Sequence, residues 1–291
     1  MRKIFFALVA ALFLFNQLAG QTDTQHTNKS DSSAARQIKI TILYNNTAKD
    51  TSYMPGNGFS CFIEGLDKTI FFDSGAKSDI LLHNMKQAGI HSDSIQLLMI
   101  SHIHFDHIGG LFSGSEYNEQ VITLGESGWK NLETAFLPVE IPDKLAKNQI
   151  VYSSPASILP NVYLSGVLPG VVPDKVIHGD EQSLIINTEQ GLVIITGCAH
   201  PGIVTILKRA KEILNKKIFL VLGGFHLVTH SEVQLNSIID YFKSTGVEFC
   251  APIHCSGDKA GILFKEAYGN RCLELGAGDT ISLNNNKLVK N

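Results

Sequence analysis

The chain has 291 residues, 44% of them hydrophobic, with 24 basic and 27 acidic side chains and a net charge of -3. That much apolar material supplies one large core, so one α/β domain is expected over residues 37–291. The mild charge balance, with no Lys/Arg-rich tract, argues against a nucleic-acid partner and leaves a small-molecule substrate.

Arg2 and Lys3 precede an unbroken apolar run from Ile4 to Phe15, and Leu18-Ala19-Gly20 offers small residues for cleavage before Gln21. Residues 1–20 therefore read as a signal peptide of a periplasmic or secreted bacterial protein. The run is too short for a bilayer span and no Cys stands at the cleavage point, so no stable membrane anchor is expected. Residues 21–36 are polar and read as a disordered linker, with His26 solvated.

The first strands are expected at Ile38–Tyr44, Phe59–Glu64 and Lys68–Phe72, the last ending in Asp73-Ser74-Gly75. Ser78 to Gly89 carries Ile80, Leu81, Leu82, Met85 and Ala88 at helical spacing, with His83 and His91 as surface residues. Ile95, Leu97, Leu98, Met99 and Ile100 then form a buried strand, which runs directly into His102, His104, Asp106 and His107.

That spacing has a chemical reading. In an extended segment His102, His104 and Asp106 share one side and His107 takes the other. One metal would take the two near histidines, and a neighbouring metal would take Asp106 and His107. Neutral imidazoles with a carboxylate suit Zn²⁺ best, with Fe or Mn as alternatives. Gly109-Gly110 is expected at a helix N-terminus that favours an anion.

Residues 126–175 hold six of the nine prolines and Trp129, which excludes one long helix or a central strand and leaves loops with short elements. Strands follow at Ser183–Ile186, Leu192–Thr196, Lys217–Leu222 and Glu248–Pro252, with helices at Ile203–Leu214 and Glu232–Ser244. Gly197, Gly223 and His254 each follow a strand, so the histidines collect at strand ends. The five cysteines (Cys61, Cys198, Cys250, Cys255, Cys272) are odd in number and far apart, and define no disulfide framework.

Ser-His-x-His-x-Asp-His-x-Gly-Gly-Leu at 101–111 joins six other blocks: Gly58-Phe-Ser60, Phe71-Phe-Asp73-Ser-Gly75, Asp180-Glu-Gln-Ser-Leu184, Thr196-Gly-Cys198-Ala-His200-Pro-Gly202, Gly223-Gly-Phe-His226-Leu and His254-Cys-Ser-Gly257. In that order they resemble the metallo-β-lactamase superfamily, in the branch of the dihydropterin-ribofuranosyl-aminobenzene-phosphate synthases. The resemblance implies an αββα four-layer sandwich and two zinc ions. His200 would complete the first metal beside His102 and His104, with His178 as its rival, and His254 would complete the second beside Asp106 and His107. Cys198 stands where relatives carry a bridging Asp and is expected against the metal pair as a thiolate. Asp73 would hold the metal loop, and residues 126–175 would shape the substrate site. His226 would be a substrate-contacting acid/base or a further ligand, and Asp106 would orient the nucleophile as well as bind metal.

The implied activity is that of an exported hydrolase using a zinc-bound hydroxide on a small ester, phosphoester or lactam-type substrate, anionic ones included. The alternatives are an iron-dependent oxidoreductase on the same scaffold, a pterin-biosynthesis-type synthase, and a binding protein without turnover.

Overall fold

Side-chain alternation along the strands sets the layering. On Ile38–Tyr44, Ile40 and Ile42 enter one buried cluster and Leu43 another; on Ile218–Gly224, Leu220 and Leu222 join the first cluster and Val221 a third. Two sheets apolar on both faces result, and each must be covered twice. The computed structural model describes residues 37–113, 116–117, 132–141, 146–171, 179–284 and 287–291. The expected signal peptide and linker, Trp129 and His178 lie outside the described residues.

The first sheet has eight strands in the spatial order Lys287–Lys290, Thr280–Asn284, Ile38–Tyr44, Ser60–Glu64, Ile70–Phe72, Leu97–Met99, Thr134–Leu137 and Asn148–Val151. The second has six: Phe249–Ile253, Ile218–Gly224, Leu192–Thr196, Leu184–Asn187, Val162–Leu164 and Ala156–Leu159. Between the sheets lies a cluster that includes Phe59, Phe72, Met99, Ile186, Val193 and Leu220. Helix Ser78–Gln87 covers the outer face of the first sheet with Leu81 and Met85. Helices Ile203–Ile213, Glu232–Ser244 and Asp258–Tyr268 cover the second with Ile206, Leu207, Ile239, Phe242 and Phe264. This is the expected αββα sandwich.

Some expectations change. Thr134–Leu137 lies between Leu97–Met99 and Asn148–Val151, an interior position inside the proline-rich stretch that was read as excluding one. Its four residues contain no proline, and Pro138 falls just past its end, where a lost donor breaks no ladder bond. The ligand segment is extended only as far as His104. Phe105–Ile108 is helical, because the His104 carbonyl accepts from the amides of His107 and Ile108, and a 3₁₀ turn at Gly109–Leu111 follows. The glycine pair thus closes a helix instead of opening one. Its glycines serve close packing: a Cβ on Gly110 would lie 2.0 Å from the Ser74 carbonyl oxygen.

The parallel pairing brings the working ends together. Ile70–Phe72 runs parallel to Leu97–Met99, and Leu192–Thr196, Ile218–Gly224 and Phe249–Ile253 are parallel to one another. Asp73, His102, Cys198, His226 and His254 therefore all leave carboxyl ends of strands.

Candidate metal centre

Four of the five non-glycine residues with positive φ among the described residues are at this edge: Asp73 (51°), Ala199 (60°), His226 (54°) and His254 (52°). A backbone held in this sparsely populated region persists where its surroundings over-determine it, and such positions cluster at functional sites.

Four of the histidines are aimed by a partner on Nδ1. Ser101 Oγ donates its one hydrogen to Asp73 Oδ2 at 2.7 Å, so the 2.9 Å contact between His102 Nδ1 and Ser101 Oγ makes the ring nitrogen the donor. His107 Nδ1 donates to Asp73 Oδ2 at 2.7 Å, His200 Nδ1 to Glu181 Oε2 at 3.0 Å, and His254 Nδ1 to Asn46 Oδ1 at 2.9 Å. A neutral ring that donates through Nδ1 presents Nε2 only as a lone pair.

Those lone pairs converge. The rings of His102, His104 and His200 form a triangle with centroid separations of 4.7, 4.6 and 4.7 Å. The Nε2 atoms of His102 and His104 are buried without a hydrogen-bond partner. Beside this triangle His107 Nε2 lies 3.2 Å from His254 Nε2 and 3.1 Å from Cys198 Sγ, while Asp106 Oδ2 lies 3.2 Å from His254 Nε2. Ligands of a tetrahedral zinc ion at about 2.0–2.3 Å are roughly 3.3–3.8 Å apart, so these separations match the edges of such a shell to within a few tenths of an ångström. Cys198 belongs to both groups, with Asp106, His107 and His254 on one side and His102 and His200 on the other.

Burial and the neighbouring rings of His107 and His200 hold His102 well below the usual histidine pKa, and burial with His200 lowers His104. Both are neutral, as ligands must be. For Asp106 burial works against ionisation, but the neighbouring imidazoles of His254 and His107 outweigh it and keep the carboxyl low. Burial and the contact with Cys255 push the Cys198 thiol up.

Two supporting groups escaped the sequence reading. Glu181 is fully buried; its Oε1 accepts from the amides of Gly197, Cys198 and Ala199, and its Oε2 from His200. It shapes the turn that carries both Cys198 and His200. Asn45 Oδ1 accepts from the His254 amide at 3.1 Å, and its Nδ2 donates to the Leu275 carbonyl at 2.9 Å. Glu181 lay in a recognised block, yet a single Glu ahead of a strand carries no periodic or spacing signal.

Gly197 makes the turn possible, since a Cβ there would lie 2.0 Å from Ser101 Oγ and 3.1 Å from Asp73 Oδ2. His226 is exposed at the rim, its ring 4.6 Å from that of His200, and its contact with Cys255 raises its pKa. A cavity of about 650 Å³ opens beside it, lined by His200, Ile203, Phe225, His226, Leu227 and His230. That volume lies within the range of small-molecule sites. His83 and His91 stay outside the cluster, His83 bonded to the Ser52 carbonyl.

An αββα sandwich with a histidine, carboxylate and thiol cluster at its strand ends defines the class. The chain belongs to the metallo-beta-lactamase superfamily, whose family profile matches residues 53–207. It is 30% identical over 282 residues to the 7,8-dihydropterin-6-methyl-4-(beta-D-ribofuranosyl)-aminobenzene-5'-phosphate synthase of Methanocaldococcus jannaschii, covering 84% of this chain and 96% of that protein. Among solved structures it resembles Tm1679, described as a metal-dependent hydrolase of the beta-lactamase superfamily, with TM-score 0.65 and 26% identity over 85% of this chain and 100% of that one. Zn²⁺-bound PqqB from Methylobacterium extorquens shares the fold at TM-score 0.53 and 12% identity, over 84% of this chain and 100% of that one.

Proposed function

We propose that this protein is an exported metal-dependent hydrolase with two adjacent metal positions, acting on a small ester, phosphoester or lactam-type substrate. One observation carries the reading: Nε2 of His107 and of His254, an Asp106 carboxylate oxygen and the Cys198 sulfur, four ligand-type atoms, all lie within 4.8 Å of one another. A cation bound there would take all four as ligands. His102, His104 and His200 would hold the first ion, and Asp106, His107 and His254 the second, with Cys198 between them. Zinc is the ion that imidazole, carboxylate and thiolate together suit best. Ions bound there would supply Lewis-acid polarisation of the scissile group and activation of water.

The chain's own residues do the rest. Asp106, one quarter exposed, would orient the attacking oxygen as well as bind metal. His226 stands at the rim with a raised pKa, placed to give a proton to the leaving group. The cavity beside it would hold the body of the substrate and exclude water from it. Likeness to Tm1679 supports the hydrolase reading. Likeness to the M. jannaschii enzyme supports a second one, a pterin-biosynthesis-type synthase. A purified sample assayed for metal and offered phosphodiesters, lactones and β-lactams should turn over at least one of these classes. Iron in place of zinc, or binding without product, would favour the oxidoreductase or binding-protein reading.

Cys198 gives a sharper test. Burial holds it as a thiol in the field of the protein, and a bound cation would remove that proton. Cys198→Ser is expected to weaken metal binding by about 10- to 100-fold, and Cys198→Asp to restore most of it. Parental metal affinity and turnover in both variants would make the sulfur a packing group only.

Export rests on Arg2, Lys3 and the Ile4 to Phe15 run; no helix among the described residues is long and apolar enough to cross a membrane. The mature N-terminus is expected near Gln21, and mass spectrometry that finds Met1 on the functional protein would remove export and favour the synthase.

A further inference from the structure

We propose that Cys250 and Cys272 form a structural disulfide when this chain folds in an oxidising medium. Cys250 is the second residue of strand Phe249–Ile253, and Cys272 follows the 3₁₀ turn at Gly269–Arg271. The two are paired directly in a parallel bridge, and the amide of Leu273 donates to the Cys250 carbonyl at 2.8 Å. Residues paired in this way lie about 4.8 Å apart, inside the span of about 4.4 to 6.8 Å that a disulfide bridges. Directly paired side chains share a face, and both thiols lie in the cluster beneath helix Asp258–Tyr268, where each perturbs the other's ionisation.

The two cysteines are 0% and 3% exposed, so the bond forms while this corner folds and is afterwards shielded from reductant. Two S–H bonds are lost and one S–S bond is made. The two electrons and two protons pass to a disulfide donor such as oxidised glutathione, which leaves as two thiols. The bond would tie the strand that ends at His254 to the segment whose Leu275 carbonyl anchors Asn45, the residue holding the His254 amide. It stabilises by closing the loop between residues 250 and 272 in the unfolded chain.

The other close thiol pair, Cys198 and Cys255, lies in the candidate metal centre, and its oxidation is the rival outcome. The test refolds the purified chain in a glutathione redox buffer, alkylates it under denaturing conditions and maps the peptides. Two of the five thiols should be protected, with residues 250 and 272 on one linked peptide. The oxidised form should melt roughly 5–10 °C above the reduced form, a difference that disappears in Cys272→Ala and in Cys250→Ala. If either alanine variant fails to fold, the peptide map of the parent still decides. Five reactive thiols after the same treatment, or a bridge at any other pair, would overturn the proposal.

Discussion

Replacing His102 or His104 by alanine is expected to cost the first position its metal. Each Nε2 is a buried lone pair with no hydrogen-bond partner, so nothing else in the fold uses it. The apparent binding energy of a structural zinc ion, about 10–16 kcal/mol, divided over its ligands gives roughly 3–4 kcal/mol each, or about a 100- to 1000-fold loss of affinity. Both variants should fold, because each removes a group that neither packs a core nor closes a helix. Elemental analysis after desalting and a turnover assay measure the loss; full metal content and activity in both variants would remove these residues from the centre.

The second large effect is expected at a residue that touches no metal. In Glu181→Gln the amides of Gly197, Cys198, Ala199 and His200 would lose the carboxylate they share. Hydrogen bonds to a charged group contribute about 1.5–3 kcal/mol each, and breaking one such buried network costs on the order of 3–5 kcal/mol. The loss also has a pH signature. Burial alone would raise the Glu181 carboxyl, but the hydrogen bonds from the His200 ring and from the amides of His200 and Ala199 hold it below the usual value. A carboxyl lowered in the folded state stabilises fully above its unfolded pKa of about 4.3, and that contribution disappears as pH falls through the folded value. The parent should therefore lose stability in acid, and Glu181→Gln should start lower and lose less. Denaturant midpoints at pH 7 and pH 4 check this; equal midpoints for parent and variant at pH 7 would contradict it.

The fold was legible where periodicity was strong and the site where ligands were spaced along one strand end. Ile38–Tyr44, Leu192–Thr196 and Glu232–Ser244 stand at their expected bounds, because alternation in the first, an apolar run in the second and the Ser231/Gln234 capping box in the third leave little freedom. Asp258–Tyr268 and the two C-terminal strands had not been assigned, and Thr134–Leu137 was obscured by the prolines around it. Within the site the sequence named the residues that converge, but it extended the strand geometry of His102 and His104 through Asp106 and His107, which stand on a helical turn. Glu181 and Asn45 act through backbone amides brought together from far along the chain. No local pattern encodes such contacts; they exist only once the strand ends meet.

On the function proposed, the cluster would hold two cations with Cys198 among their ligands. Elemental analysis combined with metal-edge X-ray absorption on the purified native protein tests it most directly. Two equivalents of metal per chain and a sulfur neighbour at about 2.3 Å among nitrogen and oxygen ligands are the expected result. One equivalent or fewer after saturation with zinc, or a shell of nitrogen and oxygen alone, would contradict it.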